Sequence, residues 1–237
     1  MADNAPGPAV PEGPVGTVAE AIARMKAIDA ALPRTDGLAC FNRMYLDVTE
    51  KVNAQLEQNF YDDPAFMTEL DVTFANLYFE AAGAAANPAD VPKAWRPLIK
   101  QRTDAGIEEI QFALAGMNAH INHDLPLAVV RTCQALATAP EADPHYADYT
   151  KVDQLLDAAE QAIREKFEDP TERAIDRHVA AVATLTCNWT MNVARDLAWN
   201  NSLLLWALRN EDYAQTLFLG SLATATEIAG RMLLVAV

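Results

Sequence analysis

An all-α fold of about seven to nine helices in a single domain is predicted by three observations. Apolar residues recur at three- and four-residue steps through most of the 237-residue chain. Strand-like alternation is nowhere sustained, and helix start and stop signals divide the pattern into segments of helical length. With 51% apolar residues and nine glycines, the chain has the material for a substantial core and little for a loop-rich fold.

Residues 1–14, with Pro6, Pro8, Pro11 and Pro14, read as a disordered tail, and the helical domain is expected over 15–237. Thr17 is the expected N-cap of a first helix running to about Leu32, with Val18, Ile22, Met25 and Ile28 as its apolar stripe. After a break at 33–37, a second helix is expected over about 38–60. Asp62-Asp63-Pro64 is a start signal for a third, which carries Phe66, Leu70, Phe74, Leu77 and Tyr78 and ends near 82–86.

Pro88 and Pro92 bracket a linker, and helical pattern resumes at Ala94 with an interruption near 103–106. The next helix has Ile107, Ile110, Leu114, Ile121 and Leu125 on its apolar face and meets Pro126. That proline should kink or end it and fray a turn at Asp124, because its ring removes an N–H and clashes one turn back. The pattern then continues to about Ala137. Residues 138–150, with Pro140 and Pro144, read as one long loop in which His145 is solvated. Helices over about 151–167 and 171–209 follow, the second broken near Thr186, and an apolar helix over about 211–236 closes the chain.

A net charge of −15 gives an acidic surface that repels phosphate backbones and anionic lipids, so neither nucleic acid nor membrane is an expected partner. Cys40, Cys133 and Cys187 are widely spaced in apolar contexts without a C-x-x-C pair, which fits buried reduced thiols. No basic segment followed by an apolar run opens the chain, and the apolar stretch at 228–237 is short and carries Arg231. A cytoplasmic location is the expectation.

The segment from Phe112 to Pro126 is the densest in chemistry. It packs His120, Asn122, His123 and Asp124 between apolar runs. On a helix His120 lies beside Asp124 (i, i+4) and near His123 (i, i+3), with Met117, Gly116, Ala113 and Glu109 further back along the stripe. The small residues predict a void next to these ionisable groups. An imidazole and a carboxylate one turn apart can hold a metal such as zinc, can act as an acid–base dyad, or can form a buried polar knot that only fixes packing.

A second stripe, Asn188, Asn192, Arg195, Trp199, Ser202 and Trp206, has Asp196 and Asn200 on the adjoining row. Arg195 is the candidate holder of an anionic group, and Trp199 is a candidate pocket wall. A third set has Asp71 and Tyr78 on one apolar helix. A buried Asp71 needs a partner, for which a metal, Arg195, Arg43 or His178 is available. Several signatures are absent: no glycine-rich phosphate loop, no H-E-x-x-H, no G-x-S-x-G and no paired Glu-x-x-His steps.

Phe41-Asn-Arg-Met-Tyr-Leu, Leu70-Asp-Val-Thr-Phe-Ala, Trp95-Arg-Pro-Leu, the run from Ala115 to Pro126 and Ala194-Arg-Asp-Leu-Ala-Trp-Asn-Asn together resemble a bacterial all-helical family of unknown function, over about residues 17–210. This resemblance implies a single helical domain and carries no catalytic residues. The shape His120-x-x-x-Asp124-Leu-Pro126 is also similar to the zinc-dependent phospholipase C and P1 nuclease superfamily. The further histidines of that superfamily are missing where Leu127 to Val130 stand, which leaves at most one or two metals with Asp71 and His178 completing the shell.

The expected function is an enzyme acting by acid–base catalysis, such as cyclisation or isomerisation, on a small or medium organic molecule in a pocket of the bundle. His120, Asp124, Asp71 and His123 are its candidate catalytic residues. Arg195, Trp199, Tyr78, Asn122, Asn200 and Arg43 are candidate substrate contacts. Either no cofactor is used, or a divalent metal on His120, Asp124 and Asp71 makes the chain a hydrolase. The remaining alternative is a non-catalytic protein that binds a hydrophobic ligand.

Overall fold

The computed structural model describes residues 13–87, 89–156 and 191–235, and every regular element among them is helical. Helix α1 spans Val18–Ala31, and the Thr17 hydroxyl accepts the Glu20 N–H at 3.1 Å, one of the donors a helix start leaves open. Before it, Val15 is tied to Asn76 through both its N–H and its carbonyl, so the chain is anchored from that point.

Helix α2 spans Gly37–Glu57. Asp36 caps it with one oxygen on the Leu38 N–H and gives the other to the Arg102 guanidinium at 2.7 Å, which fixes the start of α2 against the chain after α4. Helix α3 spans Pro64–Gly83 behind an Asp63 cap, with proline at the first helical position where no N–H is needed. A 3₁₀ turn at Lys93–Trp95 leads into α4, Arg96–Gln101, and the expected interruption follows before α5, Glu109–Ala119.

Helices α5 and α6 (Leu125–Ala135) form one rod joined at His120–Asp124. The rod is the axis of the molecule: α2 and α9 (Asp212–Leu233) flank its first half, α3 and α8 (Met191–Ala207) its second, and α1 packs on α2. Gln111 at the start of the rod donates to the carbonyls of Leu233 and Val235, both at 2.9 Å, and so ties down the end of α9. One apolar cluster runs through these elements, and the described residues make a single helical domain. No helix among the described residues is long and apolar enough to cross a membrane.

Two expectations are corrected here, and a third is made more specific. Residues 138–150 are not one long loop, because α7 (His145–Lys151) begins inside them. His145 is buried rather than solvated: its ring stacks on Phe66 at 3.9 Å and its Nδ1 donates to the Ala139 carbonyl. A cavity does lie next to the ionisable groups, beside His120, but none lies at Gly116 itself. The Phe41 ring lies against the α5 backbone where a Cβ at 116 would collide with it, so this glycine serves a close α2–α5 approach. Cys40 and Cys133 are free and buried, as expected. The expectations for 157–190, including Cys187, Asn188 and His178, and for 1–12 lie outside the described residues.

Candidate functional site

Pro126 shapes the centre of the rod. In an unbroken α-helix its ring would press on the Asn122 carbonyl and leave it without a donor. The chain widens instead of fraying. His120–Asp124 forms a π turn in which the Leu125 N–H reaches back five residues to the His120 carbonyl, and Pro126 then falls in the first turn of α6. This inserted turn lies deep in the domain, in contact with α3, α8 and α9.

Asp124, buried within this turn, has both carboxylate oxygens engaged. Oδ2 accepts from Trp95 Nε1 at 2.8 Å and faces His120 Nδ1 at 3.1 Å, while Oδ1 meets His123 Nδ1 at 2.7 Å. Burial alone would raise this carboxyl, but the hydrogen bonds and charges of His120 and His123 outweigh it, and Asp124 titrates below the ordinary carboxylate range. An ionised carboxylate only accepts, so Nδ1 of each histidine carries a proton.

For His120 the balance runs the other way. Burial disfavours its charged form more than Asp124 favours it, and its pKa falls below the ordinary histidine value. The ring is therefore neutral at pH 7, protonated at Nδ1, with a lone pair on Nε2. Nε2 is buried without a hydrogen-bond partner among the described residues. Aromatic rings surround the imidazole: Phe74 stacks on it at 3.5 Å, and Tyr45 meets it edge-on at 4.5 Å.

His120 faces a cavity of about 90 Å³ bounded by α2, α3, the π turn and α8. That is well above the roughly 10–15 Å³ one water needs. The lining is apolar, including Met44, Val48, Leu70, Phe74 and Ile121, except for a few groups. Asp71 is one of them. Its Oδ2 is buried without a partner among the described residues, and desolvation raises its pKa from an ordinary 3.8 to about 7. Tyr45 is another: its hydroxyl has no partner among the described residues, and burial, then the charge of Asp71, hold it protonated far above the ordinary tyrosine value. The neighbouring Thr49 hydroxyl gives its proton to the Tyr45 carbonyl at 2.9 Å.

Of the residues singled out from sequence, His120, Asp71 and Arg195 line this cavity, and Asp124 stands directly behind His120. The others serve elsewhere. Arg195 is not open to an anion: its Nε is 2.6 Å from Asp153 Oδ1, it donates to the Tyr149 carbonyl, and it lies over the Tyr149 ring. Trp199 packs on Tyr146 and Tyr149 away from the cavity. Tyr78 sits behind the wall, donating to Asn42 Oδ1 at 3.0 Å.

Asn122 donates to Asn118, which in turn donates to the Thr226 carbonyl of α9. Asn200 is bound to its own helix at the Asp196 carbonyl. Arg43 faces outward to Glu109 and the Arg34 carbonyl. None of the three touches the cavity. The partners considered for Asp71 are corrected too, since neither Arg195 nor Arg43 reaches it and His178 is outside the described residues. His120, Asp124 and Asp71 do not converge as a metal shell: among the described residues no three His, Cys, Asp or Glu gather to hold an ion.

Sequence reasoning missed Tyr45, Phe74 and Trp95. Two signals were present. Phe41, Tyr45, Val48 and Val52 follow steps of four, three and four along one face of α2. Trp95 brings an indole N–H into an apolar stretch, and such a donor, once buried, requires an acceptor.

Fold and site together define an all-helical protein with a preoriented histidine–aspartate pair at an apolar cavity. The chain belongs to a family of unknown function, DUF5995, whose model matches residues 18–236. No curated protein and no solved structure matches it, and nothing in these comparisons links it to the zinc-dependent phospholipase C and P1 nuclease superfamily.

Proposed function

We propose that the chain is an enzyme that moves a proton within a small, neutral, largely apolar molecule, an isomerisation or cyclisation, in the cavity beside His120. The observation that carries this reading is the orphaned Nε2 of His120, a buried lone pair on a ring that Asp124 orients and that lines the same cavity as Asp71. His120 takes a proton from a substrate C–H or O–H through Nε2, and Asp124 stabilises the imidazolium that forms. Asp71, close to half protonated near pH 7, gives its proton to a substrate oxygen, beside the Tyr45 hydroxyl as a hydrogen-bond donor. In the second half-reaction the imidazolium protonates the new position and that oxygen's proton goes back to Asp71, which restores both groups. Two titratable groups pushed toward neutral forms in an apolar site is the pattern that acid–base assignments follow.

The charges of the described lining favour a neutral substrate. The one cation on the described lining, Arg195, is already paired with Asp153, so an anionic group would enter without compensation and close to Asp71. The apolar lining also supports a second reading, a binding protein that holds such a molecule unchanged.

One experiment separates the two. A small-molecule extract is incubated in D₂O with the parent protein and with His120→Asn, which keeps a donor for Asp124 and deletes the Nε2 base. Under the enzyme reading, the parent chain converts or deuterates specific compounds, and the variant does so at least about 100-fold more slowly. Compounds retained by both proteins without chemical change would overturn it in favour of binding.

A further inference from the structure

Helix α9 is held to the domain by one side only. Ala223, Thr226, Glu227 and Gly230 are its buried residues, and it rests on α5, α4 and the Lys93–Trp95 turn. The opposite side carries large apolar residues that none of the described residues covers: Tyr213 is 78% exposed, and Leu217, Ile228 and Met232 are each 54–55% exposed. Gly220, Ser221 and Ala225 stand exposed between them. On a 100° wheel these residues fall on one stripe along the whole helix.

The spacing of this stripe is self-complementary. About a centre between 222 and 223, Tyr213 mirrors Met232, Leu217 mirrors Ile228, and Gly220 mirrors Ala225. Large residues therefore flank a middle of small ones on both sides of the centre. A helix of that pattern fits a second copy of itself running antiparallel, since each large pair meets its counterpart and the small centre lets the backbones approach. This is the isologous arrangement of a two-fold dimer.

Charge agrees with the geometry. No residue from Tyr213 to Thr226 is charged in a chain of net charge −15, so this is a place where two acidic copies can meet without repulsion. The antiparallel register also brings Arg231, whose side chain is 68% exposed although it reaches Glu227, within about one helical turn along the axis of Glu211 on the facing helix.

We infer that the outer face of α9 is a dimer interface, on which two copies of this chain pair antiparallel about a two-fold axis near residues 222 and 223. A helix of 22 residues is about 33 Å long and 10 Å wide. The contact is therefore at the small end of specific interfaces, and the dimer is a reversible one.

The test is sedimentation of the full chain from about 1 to 100 μM, which brackets a weak, reversible dimer. The average mass should rise from near 25.8 kDa toward twice that value. Leu217→Glu, at an exposed position the fold does not use, should raise the dissociation constant at least about tenfold. Mild oxidation tests the register. Ser221→Cys lies about 4–5 Å along the axis from its copy and should form a covalent dimer, whereas Leu217→Cys, about 16 Å from its copy, should not. The parent chain controls for its own thiols. A parent chain that stays monomeric throughout, association that survives Leu217→Glu, or readier cross-linking at 217 than at 221 would each overturn the proposal.

Discussion

Asp124 and Asp71 are buried carboxylates on neighbouring elements, and their surroundings have made them opposites. Asp124 sits in the π turn with Trp95, His120 and His123 around it, and it stays ionised although it is buried. Asp71 sits on the wall of the cavity with an oxygen that meets no partner among the described residues, and desolvation moves its titration to about 7. Burial alone therefore does not set the state of a carboxylate. The count of donors aimed at it does. Asp124 is the fixed member of the site, and Asp71 is the member whose proton can come and go at neutral pH.

The largest expected effect tests the fixed member. Asp124→Ala removes the acceptor shared by an indole and two imidazoles, leaving buried donors unpaired, and should cost roughly 3–5 kcal/mol in a denaturation experiment. Its folded pKa is depressed, so its contribution is present above the unfolded pKa and is lost as pH falls through the folded value. The gap between parent and variant should therefore narrow on the acid side. A cost under about 1 kcal/mol at pH 7 would mean that the three donors find other acceptors, and the contrast between the two carboxylates would collapse.

Next in size is Asp71→Asn, with the opposite sign. A carboxyl that titrates at about 7 when folded and near 3.8 when unfolded favours folding less as pH rises between those values. At 1.36 kcal/mol per pH unit the penalty is at most about 4 kcal/mol above pH 7. The amide carries no such penalty. Asp71→Asn should be close to the parent at pH 4 and clearly more stable at pH 8, as read from melting temperatures across that range. An advantage that does not grow with pH would show Asp71 to be solvated or paired. The same variant should lose turnover under the acid–base reading, so stability and activity would move in opposite directions.

What was legible in the sequence follows the reach of each interaction. Caps and breaks act within a few residues, so Thr17, Asp63 with Pro64, and the stop before Glu109 could be read directly. The His120–Asp124 pair was legible for the same reason, being one turn apart. The conversion of a frayed turn into a π turn was not, because packing from α3, α8 and α9 decides how the helix accommodates Pro126. Arg195 failed as an anion holder because its partners, Asp153 and Tyr149, lie more than forty residues away. Trp95 was missed as a donor to Asp124 because 29 residues separate them. A sequence names the groups that need partners, and the tertiary fold chooses among the partners on offer.

The smallest expected effect belongs to Tyr45, the third polar group at the cavity. Its hydroxyl is buried without a partner among the described residues, so the folded state gains nothing from it and loses the hydration it had when unfolded. Tyr45→Phe keeps the ring beside His120 and Phe74 and deletes only the oxygen. Stability should stay level or rise by up to about 1 kcal/mol. The consequence for Asp71 is sharper. If the hydroxyl and the carboxyl are independent orphans, the Asp71 titration followed by NMR should stay near neutral pH in the variant. If a water bridges them in solution, removing the hydroxyl takes away a donor and the titration should move further up, while stability falls. The first outcome keeps Asp71 as the proton carrier by itself; the second makes the carrier a Tyr45–water–Asp71 chain, with the fixed member of the site still Asp124.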